Sequence, residues 1–529
     1  MGAPEHGLHV LDWIVVLVYL IGMLAIGWVA GRRVKDARGF HTAGGRLGSL
    51  LVGLSLLGTY LSAMTMIALP GVAFGPDGMR WSIQLPFLIV TALVITTLVL
   101  PRYRRAGVVS VYQFLELRIH VSARALASAC FVALSAGRTG LTLYLPALAY
   151  SQITGADILP AIVVMGLVTL AYTVWGGIEA VIWTDAIQVF VFTLGAVLSV
   201  VYILWDIHLV NADFWGIAHQ FHKLQIWDPS LDFKQIASLW LVLQTLFETI
   251  RIYGTQQDMT QRYVTTRSTR EANKSVWICI VGYIPLGFAF YFIGAALCVY
   301  YRALCLSCHP DTYFIGQLVS GKPRWDAMYP HFIAARLPVG VTGIVLAAVF
   351  AAAMSTMASL LNSGATVCVE DFYKRFWPKE RSDRHYLGVS RALTVVIGVA
   401  AVGVALYCNR VGETGQLMWT KIMGYTTAGV LALMALAFLP IRIRPAAAVA
   451  GWVTAIGLVW YLSTFKVVHA LLWPVIGNTA GFVVALVLNT LLVALSGESP
   501  FGPRQRFPLE ATRAMAATDA QASGHEGSL

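Results

Sequence analysis

Between Ala352 and Ser363 the chain reads Ala-Ala-Met-Ser-Thr-Met-Ala-Ser-Leu-Leu-Asn-Ser, which sets hydroxyls and an amide inside an otherwise apolar stretch. Polar side chains at membrane depth are costly unless they coordinate something or line a cavity. The hydroxyls of Ser355 and Thr356 can replace part of a small cation's hydration shell, so the first chemistry to consider is ion-coupled transport. A second candidate is Arg138, set in Leu134-Ser135-Ala136-Gly137-Arg138-Thr139-Gly140-Leu141. A guanidinium there needs a partner, and its planar fork suits a carboxylate. Either an anionic substrate fills that role, or a salt bridge to Glu248 or Asp185 does. Cys305-Leu306-Ser307-Cys308-His309 has the spacing of a c-type haem attachment site; a local disulfide or two unpaired thiols suits an ordinary loop better. No nucleophile–base pair or metal cluster appears, so the sequence does not read as an enzyme and no organic cofactor is expected.

These residues must be positioned by membrane helices. Of 529 residues, 58% are hydrophobic and 12% charged, with a mean hydropathy of +0.71, too apolar for a soluble chain of this length. Thirteen apolar stretches, from 10–31 to 469–495, are long enough to span a bilayer. Six of them, 47–69, 80–100, 123–152, 178–204, 236–254 and 339–369, carry the residues of interest. The first lacks a basic leader and a small-residue cleavage site, and is expected to be a retained helix. The net charge of +11 is topological rather than a sign of nucleic-acid binding. Most Lys and Arg fall in alternate loops, beginning at Arg32-Arg33-Val34-Lys35, which puts the N-terminus outside and the C-terminus in the cytoplasm. Anionic lipid is a minor partner of the same charges.

Two stretches look interrupted. Ser55 to Thr65 holds small and polar residues at mid-depth and is followed by Pro70; Gln244, Thr245, Glu248 and Thr249 precede Arg251 and Gly254. Discontinuous helices at matching places in two halves point to an inverted-repeat transporter with its site at the breaks. The expected organisation is a first helix and basic loop (1–46), a first repeat (47–204), an outer loop (205–235), and a second repeat (236–439) containing the outer loop 302–338. Two further helices (440–495) and a disordered cytoplasmic tail (496–529) complete it.

Four motifs give the chain a recognisable likeness: Ser55 to Ser62; Tyr172-Thr173-Val174-Trp175-Gly176-Gly177-Ile178-Glu179-Ala180-Val181-Ile182-Trp183-Thr184-Asp185; Gly254-Thr255-Gln256-Gln257 with Gln261-Arg262; and Ala351 to Asp371. Across about 40–500 it resembles the sodium:solute symporter family. The resemblance implies an all-α, LeuT-type 5+5 inverted repeat with extra flanking helices, and sodium as the coupling ion. By motif position, the family's sodium ligands fall on the carbonyls of Gly58, Leu61 and Ala352 and the hydroxyls of Ser355 and Thr356. Some relatives hold a second sodium at the position of Asp185. Here Asp185 and Ser359 remain, but Ala358 stands where those relatives carry a hydroxyl, so one sodium per cycle is expected. The segment from Gly137-Arg138 to Ala149 resembles the bacterial sialic acid branch, where the matching arginine holds a sugar-acid carboxylate. That branch's polar contacts map to Tyr60, Ser62, Thr65 and Gln84. Tyr60 replaces a smaller residue and narrows the pocket, and Arg80 adds an outer charge. The implied function is sodium-driven symport of an anionic sugar acid across the cytoplasmic membrane. The alternatives are a neutral sugar, polyol or monocarboxylate symporter and, more remotely, a transporter-like solute receptor.

Overall fold

The computed structural model describes residues 8–233, 235–304, 318–319, 322–323, 325–377, 381–411 and 415–496. Cys305, Cys308, His309 and the tail from 497 lie outside the described residues. The helices used below are α1 (Val10–Gly31), α2 (Ser49–Tyr60), α3 (Met64–Phe74), α4 (Gly78–Ala106), α5 (Val121–Thr154) and α6 (Ile158–Leu209). They continue with α7 (Ser238–Thr255), α8 (Gln257–Val264), α9 (Thr269–Leu304), α10 (Val341–Phe376), α11 (Asp383–Val411), α12 (Gly415–Thr427), α13 (Val430–Phe438), α14 (Pro445–Phe465) and α15 (Trp473–Ser496). The only strands among the described residues are Leu318–Val319 and Lys322–Pro323, paired antiparallel.

Ten of the described helices are long and apolar enough to cross a membrane, and the bent pair α2–α3 makes eleven. The expected thirteen differ for two reasons. At 1.5 Å per residue, α6 with its 52 residues would be about 78 Å long, over twice a hydrocarbon core. Its backbone leaves the helix at Gly177 (φ 54°, ψ −150°), a conformation that favours glycine, and the break divides it into the two stretches read from sequence. The other missing span is α7, whose polar residues keep it out of an apolarity count.

Both interruptions exist, the second displaced from its expected place. After Tyr60 the chain turns extended at Leu61 (φ −66°, ψ 126°), and α3 leaves at 58° to α2. The second break falls at Gln256 (φ −88°, ψ 131°), beyond the Gln244–Thr249 run. That run stays helical because its polar groups are satisfied where they stand. Thr245 donates to Gln84 Oε1 at 2.9 Å, Thr249 pairs with the Thr91 hydroxyl at 2.5 Å, and Glu248 holds Arg251 one turn away at 2.5 Å.

Helix α10 runs through the centre: 94% of its most apolar window is buried, against 33% for α1 and α11. It packs on α1, α5, α6 and α11. Trp175 and Trp183 are about half exposed on either side of the Gly177 break. In the loop before α7, Lys223 is buried and donates to the end of α3, to Phe74 O at 2.8 Å and also to Gly75 O. Arg80, at the start of α4, pairs with Asp228 at 3.0 Å. The Ser230 backbone N–H holds the Asp228 carboxyl below the usual carboxylate range, with Arg80 adding to the effect.

Candidate functional site

The end of α2 leaves its last carbonyls without helical partners, and α10 answers them. Residues 352, 355 and 356 share one face of a helix. Ser355 Oγ lies 2.7 Å from Gly58 O and 3.3 Å from Ala352 O. Thr356 Oγ1 lies 3.3 Å from Leu61 O, 3.3 Å from Ala352 O and 3.5 Å from Thr59 O. All five oxygens named from sequence are brought together and buried. Small residues permit the approach; a Cβ on Gly58 would sit 3.2 Å from the Asp185 carbonyl. Uncharged oxygens at the negative end of a helix suit a hard monovalent cation, which can then leave again because no fixed charge traps it.

Asp185 and Ser359 also come together, but around a side chain the sequence reading had not assigned. Arg262, wholly buried, donates from Nη2 to Asp185 Oδ2 at 2.7 Å and Ser359 Oγ at 2.6 Å, from Nε to Ser55 Oγ at 2.7 Å, and from Nη1 to the Asp258 carbonyl. Ser55 donates to Asp185 Oδ2 at 2.6 Å, and Thr59 and Ser359 hydroxyls are 2.9 Å apart. One turn of α8 thus ties α2, α6 and α10 beside the five oxygens.

Of the substrate candidates, Tyr60, Thr65 and Gln84 share the α9 neighbourhood. The Tyr60 ring lies 4.5 Å from Tyr283 and 5.3 Å from Tyr253 between centroids. Gln84 Nε2 donates to Tyr291 at 2.6 Å, while Thr65 Oγ1 lies 3.4 Å from Ser62 N. Arg138 stands apart on α5. Neither partner read from sequence is the one found, since Glu248 is held by Arg251 and Asp185 by Arg262. Arg138 Nη1 instead reaches Asp258 Oδ2 at 3.4 Å and Gln256 Oε1 at 3.3 Å, with the guanidinium 5.2 Å from the Trp419 ring. The start of α3 packs on α5, α9 and α12, which brings the first break to the Arg138 helix. Lys421, on α12, is exposed.

Arg262 was legible only as a motif letter, and Asp258 fell between the two pieces of that motif. The usable signal was an Asp and an Arg four residues apart beside two glutamines, too polar for a span unless every group has a partner.

The sequence profile of the sodium:solute symporter family matches residues 40–455. The sodium/sialic acid symporter SiaT of Proteus mirabilis is 30% identical over 417 residues, covering 76% of this chain and 79% of that protein. Human sodium-coupled monocarboxylate transporter 1 is 28% identical over 437 residues, covering 81% and 69%. The solved structure of a substrate-bound, outward-open Na+-coupled sialic acid symporter superimposes with a TM-score of 0.81 at 26% identity, over 91% of this chain and 98% of that one. The two broken helices and their helical surroundings are accordingly a LeuT-type arrangement. With profile, helices and breaks in agreement, the chain belongs to the sodium:solute symporter family.

Proposed function

We propose that the protein imports a small carboxylate-bearing solute, most simply a sugar acid such as sialic acid, driven by sodium through alternating access. The observation that carries this reading is the convergence of Gly58, Leu61, Ala352, Ser355 and Thr356 at the first break, with the buried guanidinium of Arg138 on a helix packed against it. Sodium at the five oxygens would brace the junction of α2 and α10. Arg138 would take the carboxylate, while Ser62, Thr65, Gln84 and Tyr60 meet the rest of the solute. Arg138, Ser62 and Thr65 are buried, so solute reaches them only when neighbouring helices part. Arg262 on Asp185 and Ser359 supports one sodium per cycle, because a tethered cation already takes those oxygens. The basic loops favour the cytoplasmic membrane with the N-terminus outside.

Uptake of labelled N-acetylneuraminate into proteoliposomes, with and without an inward sodium gradient, tests the reading. Sodium-dependent uptake that is lost in Arg138→Ala supports it; a folded wild type that takes up no sialic acid removes that substrate. Packing of Tyr60 between Tyr253 and Tyr283 favours a second reading, a smaller monocarboxylate, for which pyruvate is the probe.

A further inference from the structure

Arg138 and Asp258 form a buried ion pair that is poorly made for one meant only to hold helices together. Arg138 is 3% exposed and Asp258 is not exposed at all, so both charges have lost their water. Charge-assisted N–H···O bonds are ordinarily about 2.7–2.9 Å, yet this contact is 3.4 Å and the one to Gln256 is 3.3 Å. Three further polar atoms at the same place lack a hydrogen-bond partner among the described residues: Arg138 Nε, Gln256 Nε2 and Asp258 Oδ1. Leaving such groups unpaired costs about 1–3 kcal/mol each, more for charged ones. Two of the three, Arg138 Nε and Gln256 Nε2, are donors of the kind that a carboxylate satisfies. Gln256 also borders a small crevice of about 10 Å³, shared with Leu134, Arg251 and Thr255.

We propose that Asp258 is a resident counter-ion that holds the place of the substrate carboxylate at Arg138, and that substrate displaces it to free α8. This rests on the reading of the substrate as a carboxylate. The arriving carboxylate takes the unpaired Nε edge of Arg138 and the Gln256 amide, satisfying the spare donors, and its charge competes away the long contact that Nη1 makes to Asp258. Asp258 is the second residue of α8, and its own carbonyl accepts from Arg262 Nη1. Arg262 in turn grips Ser55 on α2, Asp185 on α6 and Ser359, one turn beyond Ser355 on α10. Exchange of one carboxylate for another at Arg138 therefore loosens the turn of helix that fastens the surroundings of the sodium oxygens. Asp258 is on this account a positioning residue: it acts through Arg138 and never touches the solute.

The test compares N-acetylneuraminate with its methyl ester, and pyruvate with methyl pyruvate, in wild type, Asp258→Asn and Arg138→Ala. Removing the competing charge in Asp258→Asn lowers KM for the acid at least about fivefold, leaves affinity for the ester unchanged, and relaxes the sodium dependence of acid binding. An unchanged or raised KM for the acid, or equal shifts for acid and ester, overturns the proposal. Should Asp258→Asn not fold, hydrogen exchange of the wild type decides. Acid in saturating sodium speeds exchange in peptides covering 256–264 while ester does not; no difference between the two overturns the proposal. Failure of the underlying reading looks different: wild type then handles acid and ester alike and Arg138→Ala retains acid uptake, which removes the counter-ion role with its premise.

Discussion

The two buried arginines that meet α8, Arg262 within it and Arg138 on α5 against Asp258, have nearly the same exposure and opposite degrees of satisfaction. Every nitrogen of the Arg262 guanidinium donates, with side-chain contacts of 2.6–2.7 Å. Arg138 has two contacts beyond 3.2 Å and an unpaired Nε. Burial alone would rank them as equal candidates for a ligand. Satisfaction separates them: a saturated cation has nothing left to offer a solute, whereas an under-bonded one is paying a standing cost that a ligand removes.

The largest expected effect tests that distinction directly. Arg262→Ala leaves Asp185, Ser55 and Ser359 without their shared donor, and loss of one partner from a buried ion pair costs about 3–5 kcal/mol. Its melting temperature in detergent should fall far more than that of Arg138→Ala, with no recovery on adding sodium. Equal losses in the two variants would erase the comparison. Next in size, Thr356→Ala removes one of the two hydroxyls proposed to hold sodium and should raise the sodium needed for half-maximal uptake about tenfold, roughly 1.4 kcal/mol. Ala358→Ser should leave that sodium curve with a slope of one, because Arg262 already occupies Ser359; a slope near two would show that the saturated end admits an ion after all.

A smaller effect follows from His41, whose carbonyl accepts from Gln261 at the saturated end of α8 at 2.7 Å. Its ring is bonded to Thr366 at 2.6 Å and Ser390 at 3.0 Å, and burial, with Lys374 adding, lowers its pKa to about 3. The unfolded chain binds a proton there near pH 6.5 and the folded one does not, so stability falls as pH drops below 6.5 toward 3. The slope approaches about 1.4 kcal/mol per pH unit. Melting scans between pH 7.5 and 5 should show this decline, and His41→Gln should flatten it. The smallest effect lies at the rim. Arg80→Ala breaks a partly exposed pair with Asp228 and should cost less than about 1 kcal/mol, fading further in high salt. A loss comparable to that of Arg138→Ala would mean that the rim pair, too, is part of the machinery.

Much of the molecule was legible from its residues. Apolar runs gave the spans, Gly177 marked the division of the longest helix, and the hydroxyls of Ser355 and Thr356 marked the face of α10 that meets the end of α2. The second break was misplaced because polar residues inside a span can either unwind it or find partners on a neighbour. Thr245 and Thr249 did the latter through α4, which no local pattern reveals. Arg138 was rightly singled out as buried, but its partner was misread. Glu248 and Asp185 each had a better-placed arginine, Arg251 and Arg262, and competition among three arginines for three acids is settled only by helix packing.

Lys223 reaches from the loop before α7 to plug the carbonyl end of α3, the second half of the first broken helix. A grip on that loop is therefore a grip on that half-helix. An antibody fragment raised against 213–228 would act as a brake, arresting turnover without entering the transport path, and would supply the added mass that helps to image one state of a small membrane protein.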